Sequence, residues 1–297
     1  MIVAIASGKG GTGKTTVAAA LARTWDAPRI AVDMDVEAPN LHLLLSPAIE
    51  GMHQATLDVP VVAQPENCDG CGECSDLCAF KAILVFGNGP AVFTELCHGC
   101  DGCLRVCRRD VLARGQRDLG TISWGRADAA DGVSADLRVV SGQMRICENT
   151  CPPLIRQVRA RLDAMLRERP ADVIIDAPPG TNCPALTALH DIDVLLLVTE
   201  PTPFGLHDLD LAVRAFCCDR VPVGIVINRA GLGDDELVRG YCRRHGLPVV
   251  AEIPYRREVA ERCARGEALE SMGADLYERI TALAASTRAL AGRSAAA

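Results

Sequence analysis

The residues best equipped for chemistry open the chain. Gly8-Lys9-Gly10-Gly11-Thr12-Gly13-Lys14-Thr15 fits the pattern G-x-x-x-x-G-K-T. Its glycines let successive backbone N–H groups converge on one anion, and the N-terminus of a following helix adds a partial positive charge. Lys14 supplies a full charge to the outer phosphates of a nucleotide, and the Thr15 hydroxyl, followed by Thr16, can ligate Mg2+. The alternative is a glycine-rich turn with incidental lysines. Against it, the apolar run Ile2-Val3-Ala4-Ile5-Ala6 precedes the motif and the helical stretch Thr16-Val17-Ala18-Ala19-Ala20-Leu21 follows it, the order strand, phosphate loop, helix.

A second constellation is made of thiols. Cys68-x2-Cys71-x2-Cys74-x3-Cys78 recurs as Cys97-x2-Cys100-x2-Cys103-x3-Cys107, with the strand-like Ala82-Ile83-Leu84-Val85-Phe86 between the copies. The chain holds 15 cysteines, and in a reducing compartment such density points to metal ligation or redox chemistry rather than disulfides. Zinc sites usually pair C-x2-C units across a longer loop, whereas the tripled spacing favours an iron–sulfur cube. Cys147 and Cys151 precede an amphipathic helix from about 154 to 169, where a thiolate is favoured. A redox pair, a half-site for a shared cluster and plain thiols stay open for them; for Cys183 the alternatives are a plain thiol and a ligand between subunits. Cys217, Cys218, Cys242 and Cys263 lack ligand spacing and read as packing.

Carboxylates at strand ends complete the candidates. Arg29-Ile30-Ala31-Val32-Asp33 and Val173-Ile174-Ile175-Asp176 read as buried strands ending in an acid, and in an open parallel sheet such ends face the ligand crevice. Asp33 and Asp35 are placed to act there, with helix capping as the plainer alternative. A rigid Pro178-Pro179-Gly180 turn follows Asp176. Further strands are expected at 194–198, 223–228 and 249–254, the last closing the sheet. Strands at 121–124 and 137–140 are expected to form a small extension beside a polar loop at 128–134. His207 reads as a loop or surface histidine, and a last helix with Leu276, Ile280 and Leu283 on one face suits docking on the body.

These elements imply an α/β fold: a mostly parallel sheet flanked by helices, with a small insert. Hydrophobic residues make up 49% of the 297 and aromatics only 3%, so the core is aliphatic, as parallel sheets require. A formal charge of -7 argues against nucleic acid or an anionic membrane as partner. No apolar stretch approaches membrane-spanning length, the opening apolar run is short for a secretion signal, and the last helix lacks a basic face. The expectation is a cytoplasmic protein without a membrane anchor.

The second lysine of the loop, in Lys9-Gly-Gly-Thr-Gly-Lys14-Thr-Thr, resembles the deviant Walker A motif of the MinD/ParA/nitrogenase iron-protein class of P-loop ATPases. The phrase Glu200-Pro-Thr-Pro-Phe-Gly-Leu-His-Asp208 is similar to that of MinD-like ATPases of the Mrp type carrying a ferredoxin. The resemblance implies ATP and Mg2+ as ligands and an ATP-dependent homodimer in which Lys9 reaches the partner's nucleotide. It makes Asp35 the group that orients or deprotonates water in switch I, Asp176 the Walker B-like acid and Gly180 a neighbour of the γ-phosphate. It assigns Asn228 to adenine and brings Pro254 near the base.

The doubled cysteine run resembles a bacterial-type two-cluster 4Fe-4S ferredoxin over about residues 60 to 112, inserted into an ATPase of residues 1–59 and 113–297. In such ferredoxins the fourth cysteine of each run serves the other cluster. That gives one cluster Cys68, Cys71, Cys74 and Cys107, and the other Cys97, Cys100, Cys103 and Cys78. Ala79 and Arg108 stand where a turn-shaping proline is common, which leaves the ligands untouched. The insert interrupts the ATPase just after switch I, so a movement there is expected to be felt at the clusters. The implied functions are ATP-gated electron transfer to a partner protein, carriage or assembly of iron–sulfur or metal cofactors, or a MinD-like positioning switch with structural or redox-sensing clusters.

Overall fold

Short runs of Val, Ile, Leu and Ala form strands buried along almost their whole length in the computed structural model, which describes residues 1–87, 89–130, 133, 136–217 and 221–294. Cys218 and positions 131, 132 and 134 of the 128–134 loop lie outside the described residues. In chain order the elements are β1 (Ile2–Ala6), α1 (Lys14–Thr24), β2 (Arg29–Asp33), α2 (Leu41–Leu45), β3 (Ala48–Val62), α3 (Glu73–Leu77), β4 (Ile83–Phe86) and β5 (Gly89–Val92). Then come α4 (Gly102–Val106), β6 (Leu112–Ala127), β7 (Leu137–Met144), α5 (Pro152–Glu168), β8 (Asp172–Asp176), α6 (Cys183–Ala188), β9 (Val194–Thr199) and α7 (Pro203–Phe216). The chain ends with β10 (Val223–Ala230), α8 (Asp235–Arg244), β11 (Val249–Pro254), α9 (Arg257–Cys263) and α10 (Ala274–Ser294).

The main sheet has nine strands in the order β11-β10-β9-β1-β8-β2-β7-β6-β3. β1 runs parallel between β8 and β9, with Ile5 opposite Asp176, and β2 runs parallel to β8, with Asp33 opposite Asp176. Such a sheet is covered on both faces, which is why β2 and β9 are buried at every position. One expectation needs correction. Residues 121–124 and 137–140 do not form a small extension: they belong to β6 and β7 of the main sheet, β7 pairing parallel with β2. The 15-residue β3 has no counterpart in the sequence reading, because its mixed residues leave most of its first half exposed.

The chain divides into two compact units: Met1–Met52 with Ile122–Gly142 and Ile155–Ala297, and His53–Thr121 with Gln143–Leu154. The smaller unit is thus broader than the 60–112 insert read from the cysteines, and it takes in a second segment ahead of α5. Within it β4 and β5 form an antiparallel hairpin, Ile83 opposite Val92. Gly120 (φ 148) lies so close to the second segment that a Cβ there would meet the Gln143 carbonyl oxygen at 2.1 Å, so no larger residue fits.

In the larger unit α10 packs on α1 and β11, and Leu276, Ile280 and Leu283 are fully buried. Trp25, also fully buried, donates Nε1–H to Asp172 Oδ2 at 2.8 Å and is covered by the Arg288 guanidinium 4.4 Å from its ring centre. Arg29 closes the C-terminal end of α1: its Nε donates to the Ala22 carbonyl at 2.7 Å and Nη1 to that of Ala27 at 3.3 Å. The Ala22 carbonyl is one of the last four of α1, which lack a partner inside the helix. Burial lowers the Arg29 pKa to about 10, against the pull of Asp136. Arg29→Met should therefore cost about 2 to 4 kcal/mol of stability, since it removes charge-assisted bonds from buried acceptors. Denaturant unfolding followed by tryptophan fluorescence checks this, because Trp25 and Trp124 both belong to the larger unit.

Candidate nucleotide site and two thiol-lined cavities

At the carboxyl end of β1 the chain turns through Ser7–Gly13 and enters α1 at Lys14. Gly11 (φ 81) and Gly13 (φ 88) take the left-handed conformation that the turn requires. A Cβ on Gly13 would meet Asn228 Nδ2 at 2.2 Å, and that same Nδ2 donates to the Thr12 carbonyl at 2.7 Å. A Cβ on Gly8 would meet the Asp208 carbonyl oxygen at 2.1 Å, so α7 packs directly against the loop. The loop borders a cavity of about 580 Å3 lined by Lys9, Gly10 to Thr16, Asp35 and Pro179.

The site is highly charged, and its central charges are buried. Lys14 and Asp176 are 6% and 1% exposed and pair at 2.5 Å. Asp176 Oδ2 is buried with no hydrogen-bond partner, and Thr15 lines the cavity. An orphaned carboxylate oxygen near a threonine hydroxyl at the helix start is a donor set that fits Mg2+. Asp33 is fully buried; its Oδ1 accepts from the Asp35 amide at 3.0 Å and its Oδ2 from the Leu41 amide at 2.9 Å. Burial, and then the neighbouring Asp176, hold the Asp33 carboxyl well above the ordinary carboxylate range. Asp35 instead lines the cavity, and burial pushes its pKa up to about 6 against the opposing charge of Lys14. Asp33 therefore organises the backbone of the loop, and of the two acids Asp35 faces the open space.

Lys9 is held within its own chain, 2.7 Å from Glu200 Oε1 and 3.8 Å from Asp208. Arg229 (φ 57) pairs with Glu200 Oε2 at 2.9 Å and donates to the Gly11 carbonyl at 2.8 Å. The sequence reading gave neither Glu200 nor Arg229 a role; the proline-flanked phrase around Glu200 and the position of Arg229 next to Asn228 were the available signals. Gly180 (φ 86) donates its amide to the Ser7 carbonyl at 3.0 Å, which leaves Pro179 on the cavity. A second cavity of about 160 Å3 is lined by Gly13, Thr16, Asn228, Pro254 and Tyr255, so the residues expected near the base lie together. Cys263, read from the sequence as packing, lines both cavities. His207 is exposed on α7.

In the smaller unit the thiols fall into two groups. Cys68, Cys71, Cys74 and Cys107 line a cavity of about 170 Å3, and Cys78, Cys97, Cys100 and Cys103 line another of about 110 Å3. The last cysteine of each run lies at the other run's cavity. Burial pushes up the thiols of Cys74 and Cys97, with a smaller contribution from Cys107 and Cys71 for the first and from Cys100 and Cys78 for the second. Cys103 is pushed up to about 11 by burial and then by Cys97. Among the described residues no three or more His, Cys, Asp or Glu side chains gather around a single point that would hold one metal ion. Four soft donors on one small cavity nevertheless suit a multi-iron cluster, whose ligands stand further apart than those of one ion. Cys147 (φ 67) is exposed, Cys151 is buried at the head of α5, and Cys183 is exposed at the start of α6. None of these three lines either thiol cavity.

The comparisons with known proteins concern the nucleotide site. Two uncharacterized proteins of Methanocaldococcus jannaschii are 26% identical over 94% of this chain and 96% of their own length and 27% identical over 90% of each. The solved structure of the septum site-determining protein MinD with Mg-ADP, from Pyrococcus horikoshii, superposes with a TM-score of 0.55 at 19% identity, covering 99% of this chain and 98% of that one. No helix among the described residues is long and apolar enough to cross a membrane. Residues 3–269 match the family described as the CobQ/CobB/MinD/ParA nucleotide binding domain, and with its phosphate loop and paired buried charges the chain belongs to that family.

Proposed function

We propose that the chain is an ATPase whose nucleotide-driven dimer switch is coupled to two 4Fe-4S clusters and delivers electrons to a partner protein. The observation that carries the iron–sulfur half is the division of eight thiols into two cavities of four. A structural staple needs one such site; two adjacent ones suit a relay. The nucleotide half rests on the family and on the charges at the loop. Switch I, from Asp33 to Leu41, continues through α2 and β3 into the smaller unit, so nucleotide state is read by the same stretch of chain that leads to the thiols.

In hydrolysis, Asp35 orients the attacking water and takes its proton, while Lys14, Lys9 and the loop amides stabilise charge on the γ-phosphate oxygens. Mg2+ would be held by Asp176 and the Thr15 hydroxyl, and when bound it neutralises phosphate charge. Lys9 reaches a second subunit only by leaving Glu200 and Asp208, so dimerisation exchanges an internal pair for one with the partner's nucleotide. That exchange keeps the free chain from dimerising without ATP.

Three outcomes test this reading. Anaerobically purified protein, reduced and followed by EPR with and without a non-hydrolysable ATP analogue, should give two interacting 4Fe-4S signals that respond to the analogue; zinc in place of iron overturns the proposal. Cluster transfer to an apo-protein acceptor, or ATP-dependent partner binding with unchanged signals, would mark a cofactor carrier or a positioning switch instead. Lys9→Ala should bind ATP within a few-fold of wild type yet stay monomeric with ATP in light scattering. Asp35→Asn should lower kcat by about 100-fold or more while sparing ATP affinity. Because the base works only when ionised and its pKa is raised to about 6, wild-type kcat should fall as pH drops through about 6, and this acid limb should vanish in Asp35→Asn.

A further inference from the structure

The two thiol cavities are not equivalent, and the difference is a buried cation. At their mouths both carry exposed charges of both signs. Arg109, 62% exposed, pairs with Asp69 at the first; Arg114, 58% exposed, pairs with Asp58 and Asp101 at the second. Water screens such pairs. Behind the second cavity stands Arg117, the one buried cation of the smaller unit among the described residues. Its Nη2 donates to the carbonyl oxygen of Cys97 at 3.0 Å, and its Nη1 bonds to Glu148, whose side chain is fully buried, and faces the solvent-screened carboxylate of Glu95 at 3.6 Å.

The orientation of this pair decides its effect. Glu148 spends its other oxygen on the amides of Asn149 and Thr150, both at 3.1 Å, and also faces Arg145 at 3.3 Å. Its negative charge is thus drawn toward the 143–154 segment and shared among several donors. The guanidinium fork lies on the Cys97 side. Arg117 Nε is buried without a partner, so the guanidinium has donor capacity in reserve. A guanidinium is charged at any working pH, and a buried one is screened less than the exposed arginines at the two mouths.

We propose that Arg117, braced by Glu148, makes the centre at Cys78, Cys97, Cys100 and Cys103 the more readily reduced of the two. Reduction adds one electron and no proton to a centre already carrying thiolate charge, and a buried positive charge behind Cys97 stabilises the product more than the reactant. The centre at Cys68, Cys71, Cys74 and Cys107 has only solvent-screened arginines beside it. Electrons then settle on the second centre. This rests on the iron–sulfur reading above and adds a direction to it.

Reductive titration of the anaerobically purified full chain, followed by EPR and visible absorption, tests the assignment. Wild type should show two midpoints. Arg117→Gln should lower the upper midpoint and leave the lower one in place, Arg117→Lys should largely restore it, and Glu148→Gln should raise it. Opposite shifts of one midpoint by two neutralising substitutions are not what loosened packing would give. Equal movement of both midpoints, no movement, or the same direction from both variants overturns the inference while leaving the clusters established. Should Arg117→Gln fail to hold its second cluster, Glu148→Gln decides by itself, with an unmoved or lowered upper midpoint as the contrary result. Absence of iron and sulfide from wild type overturns the underlying reading and this inference with it.

Discussion

A lysine and two aspartates bury their charges in one crevice, and the rest of the larger unit is arranged around keeping that tolerable. Asp33 and Asp176 are register partners on adjacent parallel strands, both almost wholly buried, and Lys14 supplies one positive charge between loop and sheet. Two ionised carboxylates against one ammonium would leave a net buried charge, which proteins avoid by shifting a pKa. Here Asp176 takes the lysine and Asp33 is pushed toward its neutral form. Nucleotide phosphates and Mg2+ bring a new set of charges into the same place. On the proposed reading they would compete for the Lys14–Asp176 pair.

The same crevice separates the tasks of two acids only two residues apart. Asp33 accepts from the amides of Asp35 and Leu41, which fixes the path of the intervening chain and so aims Asp35 at the cavity. Asp35 is partly solvated and keeps a pKa of about 6, low enough to be ionised near neutral pH and high enough to accept a proton from water. On the proposed reading, position and not residue type makes one a scaffold and the other a base. On the far side Glu200 plays a similar double role, holding Lys9 with one oxygen and Arg229 with the other. Through Arg229 it also reaches the Gly11 carbonyl.

Much of this was legible because local rules and global fold agree there. The phosphate loop announces itself by glycines at positions with positive φ, and the central strands by uninterrupted aliphatic runs. Legibility fails where tertiary context does the work. β3 reads Ala-Ile-Glu-Gly-Met-His-Gln and exposes most of those side chains, so neither alternation nor a continuous apolar run marks it. β6 and β7 looked like an extension because nothing in Thr121 to Trp124 shows that β7 pairs with β2. Arg117 and Glu148 are 31 residues apart and meet because the chain re-enters the smaller unit ahead of α5. Cys263 carried no spacing signal, since its place on the cavity comes from where α9 ends.

The smaller unit poses a problem that apolar burial alone does not solve. Its buried large apolar side chains include Leu57, Val59, Ile83, Val111, Leu119 and Leu154, whereas Leu77, Phe80, Phe86, Phe93 and Leu96 are exposed. Units of this size have little core to spare, and those that fold usually add a cross-link or a metal. The helices around the cysteines span five residues each, too short to hold themselves together. What joins the two cysteine runs is the contact of α3 with α4, the hairpin of β4 and β5, and the Phe80–His98 stack, with ring centres 3.5 Å apart. On the proposed reading each cluster is ligated by both runs, so cluster binding ties residues 68–78 to residues 97–107 twice over. Metal affinity then contributes directly to folding, and the exchange of the fourth cysteine is the feature that turns two local loops into one cross-linked body.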